Sequence, residues 1–181
     1  MEIAYNGNNI ITQTKPYQEL PLTQTVTQPT VTINSIPSKY SSLIMYDPDS
    51  VKGIFIHWLI INIPKNSNNI SSGTSIKNYY KPSPPPKTGK HRYIFELYRH
   101  DLPIQVSDKE VSYQYISGIL SKNATLVKKL VFLSENKSQI GGSQYTRSRR
   151  SQRSRISRRS RRSQRRKIYR KKTRRVYKYK K

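Results

Sequence analysis

Residues Thr146 to Lys181 hold 20 of the 35 lysines and arginines in this 181-residue chain and none of its 9 aspartates and glutamates. That segregation limits what can fold more than any other feature. A run of like charges repels itself and buries too little apolar surface to offset the entropy of ordering. From Arg147 onward the chain is built from Arg-Ser and Ser-Arg pairs and ends in mixed Lys, Arg and Tyr, a low-complexity composition expected to be disordered when free. The rest of the chain carries 15 basic residues against the 9 acidic ones, an ordinary, mildly basic balance over a length suited to one core. The expected organisation is one domain over residues 1–143 followed by an Arg/Ser/Lys-rich tail over residues 144–181.

The sequence contains no cysteine, which excludes disulfides, thiolate zinc sites and thiol catalysis, and nothing points to an oxidising compartment. Met1 to Gln13 is polar and lacks a charged start followed by an apolar run. The longest apolar stretch, Ile54 to Ile63, is interrupted by His57 and Asn62. The expectation is an intracellular protein, cytoplasmic or nuclear, not secreted and not inserted into a membrane.

Along the front domain, Thr23 to Ile36 alternates β-branched and polar residues around Pro29 and predicts edge strands. Ser42 to Tyr46 is an apolar run stopped by Asp47-Pro48-Asp49, a turn sequence. Gly53 then opens a buried strand over Ile54 to Ile63. Asn66 to Tyr80 is polar and loop-like, and Lys81 to Pro86, with four prolines, is a rigid surface loop because proline offers no amide donor. Past Thr88-Gly89, the strand His91 to Tyr98 places His91, Tyr93, Phe95 and Leu97 on one face. Apolar residues at roughly helical spacing predict helices over Lys109 to Ser121 (Ile116, Ile119, Leu120) and Asn123 to Leu133 (Leu126, Leu130). Strands followed by short helices indicate a mainly β domain, a sandwich with helices packed at one end, closing at Gly141-Gly142. Phe55 and Trp58 are expected in the core and His100 in an exposed loop.

Three features lie close together: Asp47-Pro48-Asp49, the Phe55-Ile56-His57-Trp58-Leu59 strand with Asn62, and Pro84-Pro85 running to Gly89-Lys90-His91-Arg92-Tyr93. Their order and spacing resemble the two signature regions of the phosphatidylethanolamine-binding protein family. The resemblance extends from Gln28-Pro29-Thr30 to Gly141-Gly142, and two separate motifs at matching separation make it specific. It implies a β-sandwich with a small surface pocket for a phosphate-like anion, including phospholipid head groups. By position, that pocket uses Asp47, His57, His91 and Tyr93, with Pro84 and the Pro-rich loop as a wall. Elementary chemistry is compatible with this, since imidazole N–H and phenol O–H groups donate to phosphate oxygens and a histidine can take up charge as the anion arrives. An aspartate beside an anion is unfavourable unless it orients a histidine or faces a ligand ammonium; the orienting role is expected for Asp47, and turn formation for Asp49. Two departures from the family pattern, Val51 in place of a proline and Ser83 in place of a glycine, leave head-group preference open.

His57, His91 and Asp47 have no third acidic or histidine ligand at a usual spacing, and no serine lies in a nucleophile elbow, so no catalytic residue, metal site or cofactor is expected. The tail has a different chemistry. Arg149, Arg150, Arg158, Arg159, Arg161, Arg162, Arg165, Arg166, Lys167, Arg174 and Arg175 are candidate phosphate contacts for nucleic acid, with strong salt dependence and little sequence specificity. Tyr169, Tyr177 and Tyr179 can stack on unpaired bases. Ser148, Ser154 and Ser160 between arginines are candidate phosphorylation switches, and Arg165-Arg166-Lys167 suits a nuclear address. Two functions follow as expectations. One is a non-enzymatic, regulatory binding module that takes a phosphorylated ligand or the acidic group of a partner, a signalling protein included, and is tethered to nucleic acid. The other is protamine-like packaging of nucleic acid beside a passive sandwich, for which a virion is a further compartment.

Overall fold

The computed structural model describes residues 1–138 apart from 8, 12–15, 34–36, 66, 68 and 108–110. Runs rich in β-branched and aromatic residues supply most of its strands. These are β1 (Glu2–Tyr5), β2 (Asn9–Ile10), β3 (Gln18–Glu19), β4 (Thr30–Thr32), β5 (Tyr40–Asp47), β6 (Phe55–Pro64), β7 (Thr74–Lys77) and β8 (Lys90–His100), followed by helix α1 (Tyr113–Asn123) and strand β9 (Thr125–Glu135). Strands β2, β1 and β4 form a small antiparallel sheet. The larger sheet has the order β3-β9-β8-β5-β6-β7, and only its β3–β9 pairing is parallel.

Both faces of the large sheet are covered. On one, Ile3, Tyr5 and Val31 from the small sheet pack with Leu43, Met45, Trp58, Phe95 and Phe132. On the other, Ile116 and Leu120 of α1 pack with Ile44, Leu59, Ile94 and Val131. The two-residue period of β8 sends Tyr93, Phe95 and Leu97 to the first core and Ile94 to the second. Strands buried on both faces read as near-continuous apolar runs, which explains why only His57 and Asn62 interrupt the apolar run of β6. Each fully buried Trp, Phe or Leu side chain contributes about 2 kcal/mol. The mainly β sandwich expected from the sequence is therefore the observed class.

The helical content differs from expectation. α1 forms where the first helix was predicted and begins at Ser112, whose hydroxyl accepts from the Tyr115 amide at 3.2 Å. The second predicted helix, Asn123 to Leu133, is instead strand β9, paired with β8 from Arg99↔Thr125 to Lys90↔Glu135. Its apolar residues serve both cores, Leu130 and Phe132 on one side and Val131 on the other, so they do not alternate cleanly and imitate helical spacing. Within Thr23 to Ile36, only Thr30–Thr32 is strand among the described residues, and Leu22–Gln24 is a 3-10 turn. The polar segment after residue 66 contains edge strand β7, which pairs with β6.

Two side chains are also placed differently. His100 is buried at the end of β8, with Nε2 2.9 Å from the Ser42 hydroxyl, Nδ1 2.8 Å from the Leu102 carbonyl, and Tyr40 stacked on its ring. Phe55 is 37% exposed rather than a core residue, while Trp58 is buried as expected. Gly141-Gly142, the expected boundary between residues 143 and 144, and every candidate nucleic-acid contact in the tail lie outside the described residues.

Candidate functional site

The antiparallel pairing of β5 with β8, Tyr46 opposite Ile94, brings the C-terminal end of one strand beside the N-terminal end of the other. Asp47 closes β5 and His91 is the second residue of β8. The Asp47 carboxylate accepts from His91 Nδ1 at 2.8 Å through one oxygen and from the Asp49 amide at 2.8 Å through the other. Both side chains are buried, so water does not compete for the hydrogen bond and the pair fixes the imidazole plane. Through this contact Asp47 can orient the His91 ring.

Asp49 does more than form the turn. Its carboxylate accepts from the Arg92 amide at 2.9 Å, from Nε at 2.9 Å and from a terminal guanidinium nitrogen at 2.6 Å, which ties the turn to β8. The guanidinium holds the Asp49 carboxyl below its ordinary range. Val51, at one of the departures from the family pattern, sits exposed in this turn.

His57 arrives from β6, next to β5 in the sheet. Its Nδ1 donates to the Tyr80 carbonyl at 2.7 Å, and the Tyr80 amide donates back to the His57 carbonyl at 2.7 Å. A proton on Nδ1 leaves Nε2 as the nitrogen available for other chemistry. Burial lowers the His57 pKa, while the Tyr80 carbonyl and the Asp47 charge oppose that shift. The ring packs edge-on against Phe55 at 4.8 Å and Tyr93 at 5.2 Å.

Tyr93 is fully buried and stacks on Phe132 at 5.1 Å. Its hydroxyl has no well-formed hydrogen-bond partner among the described residues. Burial and then the Asp47 charge raise its pKa, and the main chain of Ser83 works against that rise. Ser83 belongs to the expected wall, where Pro82 and Pro84 are buried and Lys81, Ser83 and Pro85 are exposed.

Asp47, His57, His91 and Tyr93 thus converge on one end of the large sheet, with Pro84 buried in the adjoining loop. Asn62, at the far end of β6, serves elsewhere. Its side-chain amide donates to the Ile104 carbonyl at 2.8 Å and accepts from the Ile104 amide at 2.7 Å. Sequence reasoning missed Thr88, whose hydroxyl oxygen lies 2.8 Å from His91 Nε2. The only signal was a hydroxyl residue three positions before the histidine, in a turn. Two surface clefts lie elsewhere, one of about 350 Å³ between the Glu19–Thr23 and Leu133–Lys137 segments and one of about 460 Å³ beside Arg99 and Lys122. Neither includes the four converging residues. Among the described residues, no group of three or more His, Asp or Glu side chains is placed to hold a metal ion, and no helix is long and apolar enough to cross a membrane.

A family model described as phosphatidylethanolamine-binding protein matches residues 6–132. A curated relative, the 26 kDa secreted antigen of Toxocara canis, is 40% identical over 87 residues, 45% of this chain and 32% of that one. The chain spans about a third of the length of the curated relatives it matches. Among solved structures, the phosphatidylethanolamine-binding protein of Plasmodium vivax superposes with a TM-score of 0.60 at 18% identity, over 75% of this chain and 84% of that one. A carboxypeptidase Y inhibitor, solved in complex with its cognate proteinase, gives 0.57 at 21% identity over 75% and 82%. At these identities the likeness is one of fold.

Proposed function

This chain belongs to the phosphatidylethanolamine-binding protein family, and from that premise we propose that its front domain is a non-catalytic binding module for a phosphate-type anion, including a phospholipid head group. The observation that carries this reading is the buried Asp47–His91 pair beside His57 and Tyr93. It gathers two imidazoles and a phenol at one end of the sheet, with a carboxylate that orients one imidazole. A protein partner enters the same proposal as the holder of an acidic or phosphorylated group, and a signalling enzyme is one such partner.

The tail, residues 144–181, extends the proposal to nucleic acid. Its uninterrupted positive charge supports binding to phosphates with affinity that falls steeply as salt rises. An intracellular location, cytoplasmic or nuclear, with a virion as a further compartment, is part of the same proposal and is checked by fractionation. The same 20 cations without one anion favour a second reading, protamine-like packaging in which the sandwich is passive.

The test is binding of glycerophosphoethanolamine and of a DNA duplex to the full chain, to Asp47→Ala and His91→Ala variants, and to a chain ending at residue 143, over a salt series. Head-group binding lost in the two pocket variants, with DNA binding lost only on truncation, supports the first reading. DNA binding with no head-group binding in any form leaves packaging.

A further inference from the structure

Every polar atom of the His91 ring is occupied in this structure. Nδ1 is held by Asp47, and Nε2 faces the Thr88 hydroxyl at 2.8 Å. That hydroxyl has one proton, which it donates to the Pro85 carbonyl at 2.8 Å. The Thr88 oxygen fills the position beside His91 Nε2 that a ligand oxygen would take. A phosphate oxygen approaching the same nitrogen would present the same chemistry at the same distance.

The placement of Thr88 sets who can reach His91. His91 is 2% exposed, whereas Thr88, in contact with its Nε2, is an exposed residue. The segment that carries it has a backbone at odds with L side chains: Lys87 has φ +69° and Gly89 has φ +79°. A Cβ on Gly89 would meet nothing within 4 Å, so glycine serves the backbone angle there and not a close contact. Besides facing His91, Thr88 bonds to the Pro85 carbonyl, from its hydroxyl and, at 3.4 Å, from its amide. Such a turn is tethered by few interactions and can move without disturbing either core.

We propose that Thr88 is a latch whose hydroxyl takes the ligand-oxygen position at His91 Nε2, and that an anion binds by exchanging its own oxygen for the Thr88 hydroxyl. This rests on the anion-binding reading above and assigns Thr88 a role in setting affinity. The ligand it selects for is an oxyanion able to place one oxygen about 2.8 Å from Nε2, inorganic phosphate being the smallest probe.

The experiment titrates inorganic phosphate into the full chain and reads the ¹⁵N resonances of the His91 and His57 rings, so that phosphate-independent behaviour of the tail does not enter. Thr88→Val keeps the shape and removes the hydroxyl; Thr88→Ser restores it. The expected result is that Thr88→Val binds phosphate about fivefold tighter than the wild type, the fold-change of one net hydrogen bond no longer displaced, with Thr88→Ser returning to the wild-type value. Equal affinity in wild type and Thr88→Val overturns the latch and leaves the binding site standing. Weaker binding by Thr88→Val also overturns it, by making Thr88 a ligand contact. No response of either histidine in any of the three proteins overturns the latch together with the site.

Discussion

The Asp47 carboxylate and His91 Nδ1 are 2.8 Å apart and both side chains are buried. A buried pair of this kind costs much to break, because removing one partner leaves the other desolvated and unmatched. Asp47→Ala is expected to lower unfolding free energy by about 3 kcal/mol, with an unchanged denaturant slope in urea titration. It also removes the acceptor of the Asp49 amide, so the turn that Arg92 anchors should loosen. A loss below about 1 kcal/mol would mean that the pair is not the element holding this end of the sheet.

His57 makes stability depend on pH. Burial holds its pKa below the ordinary value of 6.5 in the folded chain, while the unfolded chain keeps that ordinary value. As pH falls, the unfolded state therefore takes up a proton first. The contribution of neutral His57 is complete above pH 6.5 and declines as pH drops below it toward the folded pKa. An anion held against the ring favours the charged form and moves the folded pKa upward. NMR titration of His57 should give a midpoint below 6.5 without ligand and a higher one in phosphate. A free-state midpoint above 6.5 would contradict the burial argument.

Glu96 is a buried carboxylate on the helix-covered side of the sheet. It accepts from the Tyr46 hydroxyl at 2.9 Å, the Tyr98 hydroxyl at 2.8 Å and Lys129 Nζ at 2.8 Å. Burial raises the Tyr46 and Tyr98 pKa values, with Glu96 adding to both. Glu96→Ala removes the carboxylate that accepts from both hydroxyls and should cost about 3 kcal/mol in chemical denaturation. Phosphate binding by the surviving folded fraction should be unchanged, since none of these groups belongs to the site.

Gly73 is required for space. A Cβ there would lie 2.7 Å from Ile60 Cγ2, 2.7 Å from Ile63 Cγ1 and 2.8 Å from the Ile61 carbonyl oxygen. Gly73→Ala must push β6 or the turn before β7 aside and is expected to destabilise by about 2 kcal/mol, seen as a lower melting temperature. A neutral result would show that the Ile60 and Ile63 side chains can re-pack around a methyl group.

The residues that were legible in the sequence share a physical reason. β6 and β8 are long, bounded by Gly53 and Gly89, and rich in residues that only a pleated, covered surface accommodates. The grouping of Asp47, His57, His91 and Tyr93 was readable only through the family resemblance of the two motifs, which carries the four positions over together. β9 was not, since Leu126 and Leu130 stand four apart while Leu130, Val131 and Phe132 are all buried, and one chain cannot reveal that two cores share a strand. His100 was misjudged because its burial depends on Ser42 and Tyr40, nearly 60 positions away. Thr88 escaped because its significance lies in which way one hydroxyl proton points. The basic tail was legible only as composition.

The central claim is that His57 and His91 face the same bound anion. The most direct measurement follows the ¹⁵N side-chain resonances of both histidines in the full chain as glycerophosphoethanolamine is added at two salt concentrations. Both rings are predicted to respond with one shared, saturable affinity that changes little with salt, because a buried site is weakly screened, and the response should be lost in Asp47→Ala. Resonances that stay fixed at saturating ligand, or that move with different affinities, would contradict the account.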